Sequence, residues 1–157
     1  MASATKLAAN TFLDAVRTTV AAVVSLLLAR LLKLPEFYWA PISAIVIIQS
    51  TIDPKTLAWQ RFAGTALGAV LGALIATIFP ASPARTWIYA VAVFLCGVLC
   101  VLLHFRGAYR FAAITLSIIL LIAHTRPAWI VASHRFVEVS VGIAVALVIA
   151  LLWPIRA

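Results

Sequence analysis

Charge is what this sequence has least of: 10% of its 157 residues are Asp, Glu, Lys or Arg, against roughly a quarter in a soluble domain. That shortage excludes a soluble globular fold, whose outer surface could not be made polar. Polar low-complexity stretches are also missing, which excludes a disordered chain. Acids are the scarcest group: Asp14, Glu36, Asp53 and Glu138 face twelve Lys and Arg. The resulting net charge of +8 has no cation run and no separate polar domain to carry it, so no nucleic-acid partner is expected. Cys96 and Cys100 have no His or carboxylate within a turn, so neither a metal site nor a redox motif is indicated. They read as small side chains on one helix face. His104, His124 and His134 are too far apart in sequence to suggest a metal site. With no nucleophile–base arrangement, phosphate loop or paired carboxylates, neither an enzyme nor a cofactor is expected.

What is present is hydrophobicity, at 66% of the chain. Six helices of about 20 residues would use about 120 residues and leave enough for loops. The expected fold is therefore an all-α integral membrane protein with six transmembrane helices, a single domain over residues 1–157. Charges and prolines divide it into spans at 15–34, 37–52, 62–79, 86–105 and 111–125, with 139–153 in the last. Pro35 and Glu36 break the first span, Pro41 falls inside the second, and Pro80 and Pro83 stop the third. Pro127 begins the last helix and Pro154 ends it. The run from Val20 to Ala29 continues into Arg30 and Lys33 without a cleavage site, so it is expected to be a span, not a signal peptide. Trp39, Trp87, Tyr89, Tyr109, Trp129 and Trp153 fall at or near span ends, where an interfacial aromatic belt would place them. Lys6, Arg17, Lys55, Arg61, Arg106, Arg110 and Arg156 fall on one side, and Arg30, Lys33, Arg85, Arg126 and Arg135 on the other. That bias expects both termini in the cytoplasm.

The chain also repeats. At an offset of 74, Phe37 meets Phe111, Ser43 meets Ser117, Arg61–Phe62 meets Arg135–Phe136 and Gly68 meets Gly142. Repeat one covers about 14–80 and repeat two about 86–154. Three spans in each force the second repeat to lie inverted, a recurring plan of secondary transporters with the solute site between the halves. The second and fifth spans are the shortest and occupy matching positions, which points to them as the binding region. On this plan Arg61 and Arg135 are copies set toward opposite faces.

Gly64, Gly68 and Gly72 form a stripe of small residues on the third span, and Gly142 continues the pattern on the sixth. Such stripes let helix backbones approach closely, and packing alone accounts for them. Arg61 lies on the same stripe, one turn before Gly64 and Thr65, and so faces the interior. Its guanidinium requires an acceptor: either a solute anion, or a carbonyl, a lipid phosphate or a distant acid. Arg135 has Glu138 three residues on and can pair with it. Glu138 is accordingly either a structural ion-pair partner or a proton carrier. Asp14 and Arg17 are spaced as a similar pair at the start of the first span. Phe37, Tyr38 and Trp39 at one end of the second span either belong to the belt or stack a planar ring, while Gln49, Ser50 and Thr51 supply hydrogen-bonding groups at the other.

The run from Phe37 through Trp39, Pro41 and Ser43 to Gln49, followed by Trp59-Gln60-Arg61-Phe62-Ala63-Gly64-Thr65 and Gly68, resembles the fusaric-acid-resistance and aromatic-acid-exporter family. Arg17 in the first span fits the same pattern. The resemblance covers the six-helix membrane half of the larger members, with no counterpart of their cytosolic domain, and so implies a homodimer, a small homo-oligomer or a partner chain. It also implies export of aromatic carboxylates or similar planar anions across a bacterial inner membrane, driven by protons. Plant malate channels are distantly similar, which makes a passive anion channel the alternative. A structural or regulatory subunit without a solute path is a third reading. On the transport reading Arg61 and Arg17 attract the carboxylate, and Trp39 and Phe37 flank the ring. Gln49 and Thr65 complete the site, and Glu138 or Asp14 exchanges protons.

Overall fold

The computed structural model describes residues 2–79, 85–121 and 127–154. Pro80, Pro83, His124, Thr125, Arg126 and Arg156, and the side chains of Lys6, Arg85 and Arg106, lie outside the described residues. The elements are α1 (Ala2–Leu31), α2 (Trp39–Ile48), α3 (Pro54–Ile78), α4 (Arg85–Leu102), a single 3-10 turn (Arg106–Ala108), α5 (Tyr109–Leu121) and α6 (Ala128–Leu152). Thr11–Leu31, Pro54–Ile78 and Ala128–Leu152 are long and apolar enough to cross a membrane, whereas Trp39–Ile48, Thr86–Leu102 and Tyr109–Leu121 are shorter. At 1.5 Å per residue the 10-residue α2 covers only about 15 Å, half a hydrocarbon core. Among the described residues three helices thus meet the full-length criterion, against the six that the sequence predicts.

Local chemistry accounts for the helix ends. Pro41 does not interrupt α2, because it sits in the first turn, where its missing N–H would have no intrahelical acceptor. Pro127 stands just before α6, and its carbonyl accepts from the N–H groups of Ile130 and Val131. Ahead of α3, Asp53 Oδ2 accepts from the Thr56 backbone N–H at 2.9 Å and from its hydroxyl at 3.1 Å. This N-cap holds the Asp53 carboxyl below its ordinary value of 3.8, chiefly through the backbone hydrogen bond from Thr56. A carboxyl lowered on folding stabilises the fold above its unfolded pKa, and that contribution is lost as pH falls through the lowered value. Asp53→Asn is therefore expected to flatten the acid limb of a thermal melting series in detergent below about pH 4, with little change at pH 7, where Asn also caps. Within the apolar helices, hydroxyls are satisfied locally: Thr18, Thr19, Ser43, Thr77 and Ser117 each donate to a carbonyl one turn back at 2.7–2.8 Å.

The chain divides into two compact units, residues 1–58 with 138–157 and residues 59–137. In the first, α1 packs on α2, and its buried residues form the stripe Arg17, Ala21, Ser25 and Ala29. The α6 segment of this unit approaches α2 at Gly142, where a Cβ would collide with the Ala40 carbonyl and approach Ser43 Cβ at 2.7 Å. In the second, α4 packs on α5 around Ala92, Cys96, Cys100, Ala112, Leu116 and Leu120. The Tyr89 and Ser117 hydroxyls bond at 3.0 Å. There α3 approaches α5 at Gly68, where a Cβ would collide with the Ala112 carbonyl.

These contacts recur in register. Both α1 and α4 end in a Schellman cap without glycine. Lys33, at φ 53°, donates to Arg30 O (2.9 Å), and Leu34 donates to Ala29 O (3.0 Å). His104, at φ 59°, donates to Val101 O (3.1 Å), and Phe105 donates to Cys100 O (2.8 Å). The caps lie 71 residues apart, and so do the buried stripes Ala21/Ser25/Ala29 and Ala92/Cys96/Cys100. The carbonyls met by Gly68 and Gly142 lie 72 apart, while α3 and α6 begin and end 74 apart. A single offset of 74 therefore holds for the third helices only. It places Phe37 against Phe111, where the backbone contacts place Trp39.

Candidate functional site

The arginine on the α3 stripe is buried as its position requires, at 7% exposure. Its partner follows from the glycine one turn on. A Cβ on Gly64 would collide with the Ala108 carbonyl and reach Phe111 Cβ at 2.8 Å, so only glycine lets the start of α5 come this close to α3. That approach sets the Phe111 ring under Arg61, with the guanidinium carbon 4.9 Å from the ring centroid. Arg110, an exposed residue beside Phe111, places its own guanidinium 4.6 Å from the same centroid. Each contact is a cation–π interaction. Both positive charges of Arg110 and Arg135 act on Arg61 electrostatically, and Arg135 is itself 2% exposed. Thr65 is buried beside them on α3. Three cations from α3, α5 and α6 thus come together in the second unit. Clustered charges of one sign raise the local concentration of the other.

Aromatic rings continue from this cluster. Phe62 meets Phe136 at 4.9 Å, Trp59 stacks on Phe62 at 6.3 Å, and Phe105 lies edge-on to Trp59 at 6.4 Å. The convergence corrects one expectation: Arg61 and Arg135 belong to one cluster within one unit, not to opposite faces, because α3 and α6 approach at the Phe62–Phe136 contact. Beyond Phe136 an open groove of about 350 Å³ is lined by Ala66, Ala69 and Ala73 of α3 and by Trp129 and Ala132 of α6, all without charge.

The remaining sequence-derived site residues lie in the other unit. Glu138 is 0% exposed, and its Oε1 accepts from the Glu36 backbone N–H at 2.8 Å. Glu36 Oε2 accepts from Trp39 Nε1 at 3.2 Å. Glu138, Glu36 and Trp39 thus form one hydrogen-bonded chain at the start of α2. Arg30 lies 4.9 Å over the Phe37 ring. Gln49 is exposed just past the end of α2. Asp14 is exposed and does not pair with Arg17, whose Nε and Nη1 are buried without a hydrogen-bond partner among the described residues. The spacing suggested a pair, but the buried face of α1 follows positions 17, 21, 25 and 29, and Asp14 falls off it.

Sequence reasoning missed Phe111, Arg110 and Glu36. Phe111 was visible as a repeat mate of Phe37, but nothing local marks it as lying under Arg61. No group of three or more His, Cys, Asp or Glu that could hold a metal ion occurs among the described residues. No curated protein and no solved structure matches the chain. The buried Arg61 behind its glycine stripe and the apolar helices around it belong to a matched region, since a family model described as fusaric acid resistance protein-like covers residues 20–149, and the chain is a member of that family.

Proposed function

We propose that this membrane protein carries small organic anions, aromatic carboxylates foremost, across a bacterial inner membrane. The observation that carries the reading is the pair of guanidiniums, Arg61 and Arg110, against the single Phe111 ring. Two cations on one ring repel each other, and a carboxylate between them removes that repulsion while its own ring meets apolar and aromatic walls. Arg110 is exposed and Arg61 buried, so the pair leads an anion from the outside inward. Arg135 adds a third charge.

The two halves are read as inverted repeats. The recurring caps and glycine contacts support this reading, as do the short α2 and α5 in matching places. Proton exchange is assigned to Glu138, buried at the head of the Glu36–Trp39 chain, not to the exposed Asp14.

Reconstituted protein is expected to move radiolabelled benzoate faster when an inward-acid gradient is imposed, and Glu138→Gln is expected to remove the gradient dependence. Benzoate flux that ignores the gradient and follows voltage ohmically would instead establish the passive channel. Absence of benzoate, acetate and chloride flux in any condition would leave the structural-subunit reading standing.

A further inference from the structure

Arg17 is 3% exposed, and its Nε and Nη1 lie buried with no hydrogen-bond partner among the described residues. It lies in a helix segment long and apolar enough to cross a membrane, Thr11–Leu31. An arginine buried in such a segment needs an anionic or carbonyl partner. The acids of the chain do not provide one. Glu36 Oε2 accepts from Trp39 Nε1 and Glu138 Oε1 accepts from the Glu36 backbone N–H, and neither carboxylate bonds Arg17 Nε or Nη1. Asp53 caps α3. Asp14, one turn away, is exposed.

Packing does not require a cation here either. The buried stripe Ala21–Ser25–Ala29 of α1 recurs on α4, 71 residues on, as Ala92–Cys96–Cys100, and the position matching the buried Arg17 is the half-buried Ile88. Both stripes pack their helix against the next one. Where α1 carries Arg17, α4 carries the apolar Ile88, so the matching position of the other hairpin holds no cation. The charge at 17 therefore answers to a ligand and not to the fold.

We propose that Arg17 is a second anion station, binding the carboxylate of a small singly charged organic acid inside the first unit. The inference rests on the reading of the protein as an anion carrier, but it concerns a site separate from Arg61. One positive charge with open donors in an apolar setting matches one carboxylate. The other source of the same oxyanion chemistry is a lipid phosphate.

The test is equilibrium dialysis of the full chain with radiolabelled benzoate in an uncharged, phospholipid-free detergent. Two benzoates per chain are expected, falling to one in Arg17→Ile, one in Arg61→Ala and none in the double variant. Arg17→Ile is chosen because the other hairpin carries isoleucine there. Removing an uncompensated buried charge should leave its thermal midpoint equal to or above the parent's. Arg17→Lys, which keeps the charge but loses the planar fork, should retain the site with about tenfold weaker binding, and it decides the question should Arg17→Ile fail to fold. Asp14→Asn should still bind two. If Arg17→Ile or Arg17→Lys binds two benzoates with the parent's affinity, the proposal fails. It fails equally if the parent binds one that only Arg61→Ala removes. A single benzoate lost only in the Arg17 variants would leave this station standing and overturn the one at Arg61. If the second benzoate is displaced on adding phosphatidylglycerol at a few molecules per chain, the occupant is a lipid phosphate and the solute station is overturned.

Discussion

Arg61→Ala is expected to lower benzoate flux in proteoliposomes by roughly 30- to 700-fold. Removing one member of a desolvated charge pair costs about 2 to 4 kcal/mol, and each 1.4 kcal/mol is about a factor of ten. The high end applies if the bound carboxylate is desolvated as fully as Arg61 itself, which is 7% exposed. Arg61→Lys keeps the charge but presents one ammonium where a planar fork lay over Phe111, and flux is expected to fall about tenfold. Acetate separates the two parts of the site. Arg61→Ala should slow acetate and benzoate alike, because both carry the carboxylate. Phe111→Leu should slow benzoate by roughly 2- to 12-fold, the worth of one aromatic contact of about 0.5 to 1.5 kcal/mol, and leave acetate nearly unchanged. Benzoate flux within twofold of the parent in Arg61→Ala would show that the cluster is not on the solute path.

That prediction depends on Phe111, and its absence from the sequence reading has a physical cause. An apolar helix carries few polar markers, so a self-alignment of such helices is insensitive to a slip of two residues. Arg61–Phe62 and Arg135–Phe136 pinned the alignment at 74, which is right for α3 and α6. Between the equivalent carbonyls of Ala40 and Ala112 and those third helices, the second half is two residues longer. Phe111 was consequently matched to Phe37, when its place in the packing corresponds to Trp39. Membrane character, the interior position of Arg61 and the close-packing role of the glycines were legible, because each follows from one helix at a time. The convergence of Arg61, Arg110 and Arg135 was not, because it depends on where three separate helices approach. Asp14 and Arg17 show the same limit. Spacing of three residues permits a pair, but the hairpin buries one and exposes the other.

Gly142→Ala and Gly68→Ala are expected to destabilise the protein, and Gly72→Ala to be neutral or stabilising. The three glycines sit on helix faces of similar composition, so the contrast isolates what each Cβ would meet. At Gly142 and Gly68 it meets a backbone carbonyl, of Ala40 and Ala112, that cannot rotate away. The helices must part, and overpacking of this kind costs about 1 to 3 kcal/mol, occasionally more. Alanine regains about 1 kcal/mol of helix propensity, so a clash at the upper end leaves a net loss of about 2 kcal/mol. At Gly72 the nearest atoms are side-chain carbons of Ile119 at 3.1–3.3 Å, which a small rotation relieves, and the propensity gain then prevails. Valine adds two further methyls at each site, and Gly142→Val and Gly68→Val are expected to elute as aggregates in size-exclusion chromatography. Circular-dichroism melts in a single detergent check the alanine series. A Gly68→Ala midpoint at or above that of Gly72→Ala would mean that α3 and α5 are held apart in the folded protein. Phe111 would then not lie under Arg61, because Gly64 sets that ring one turn earlier on the same pair of helices.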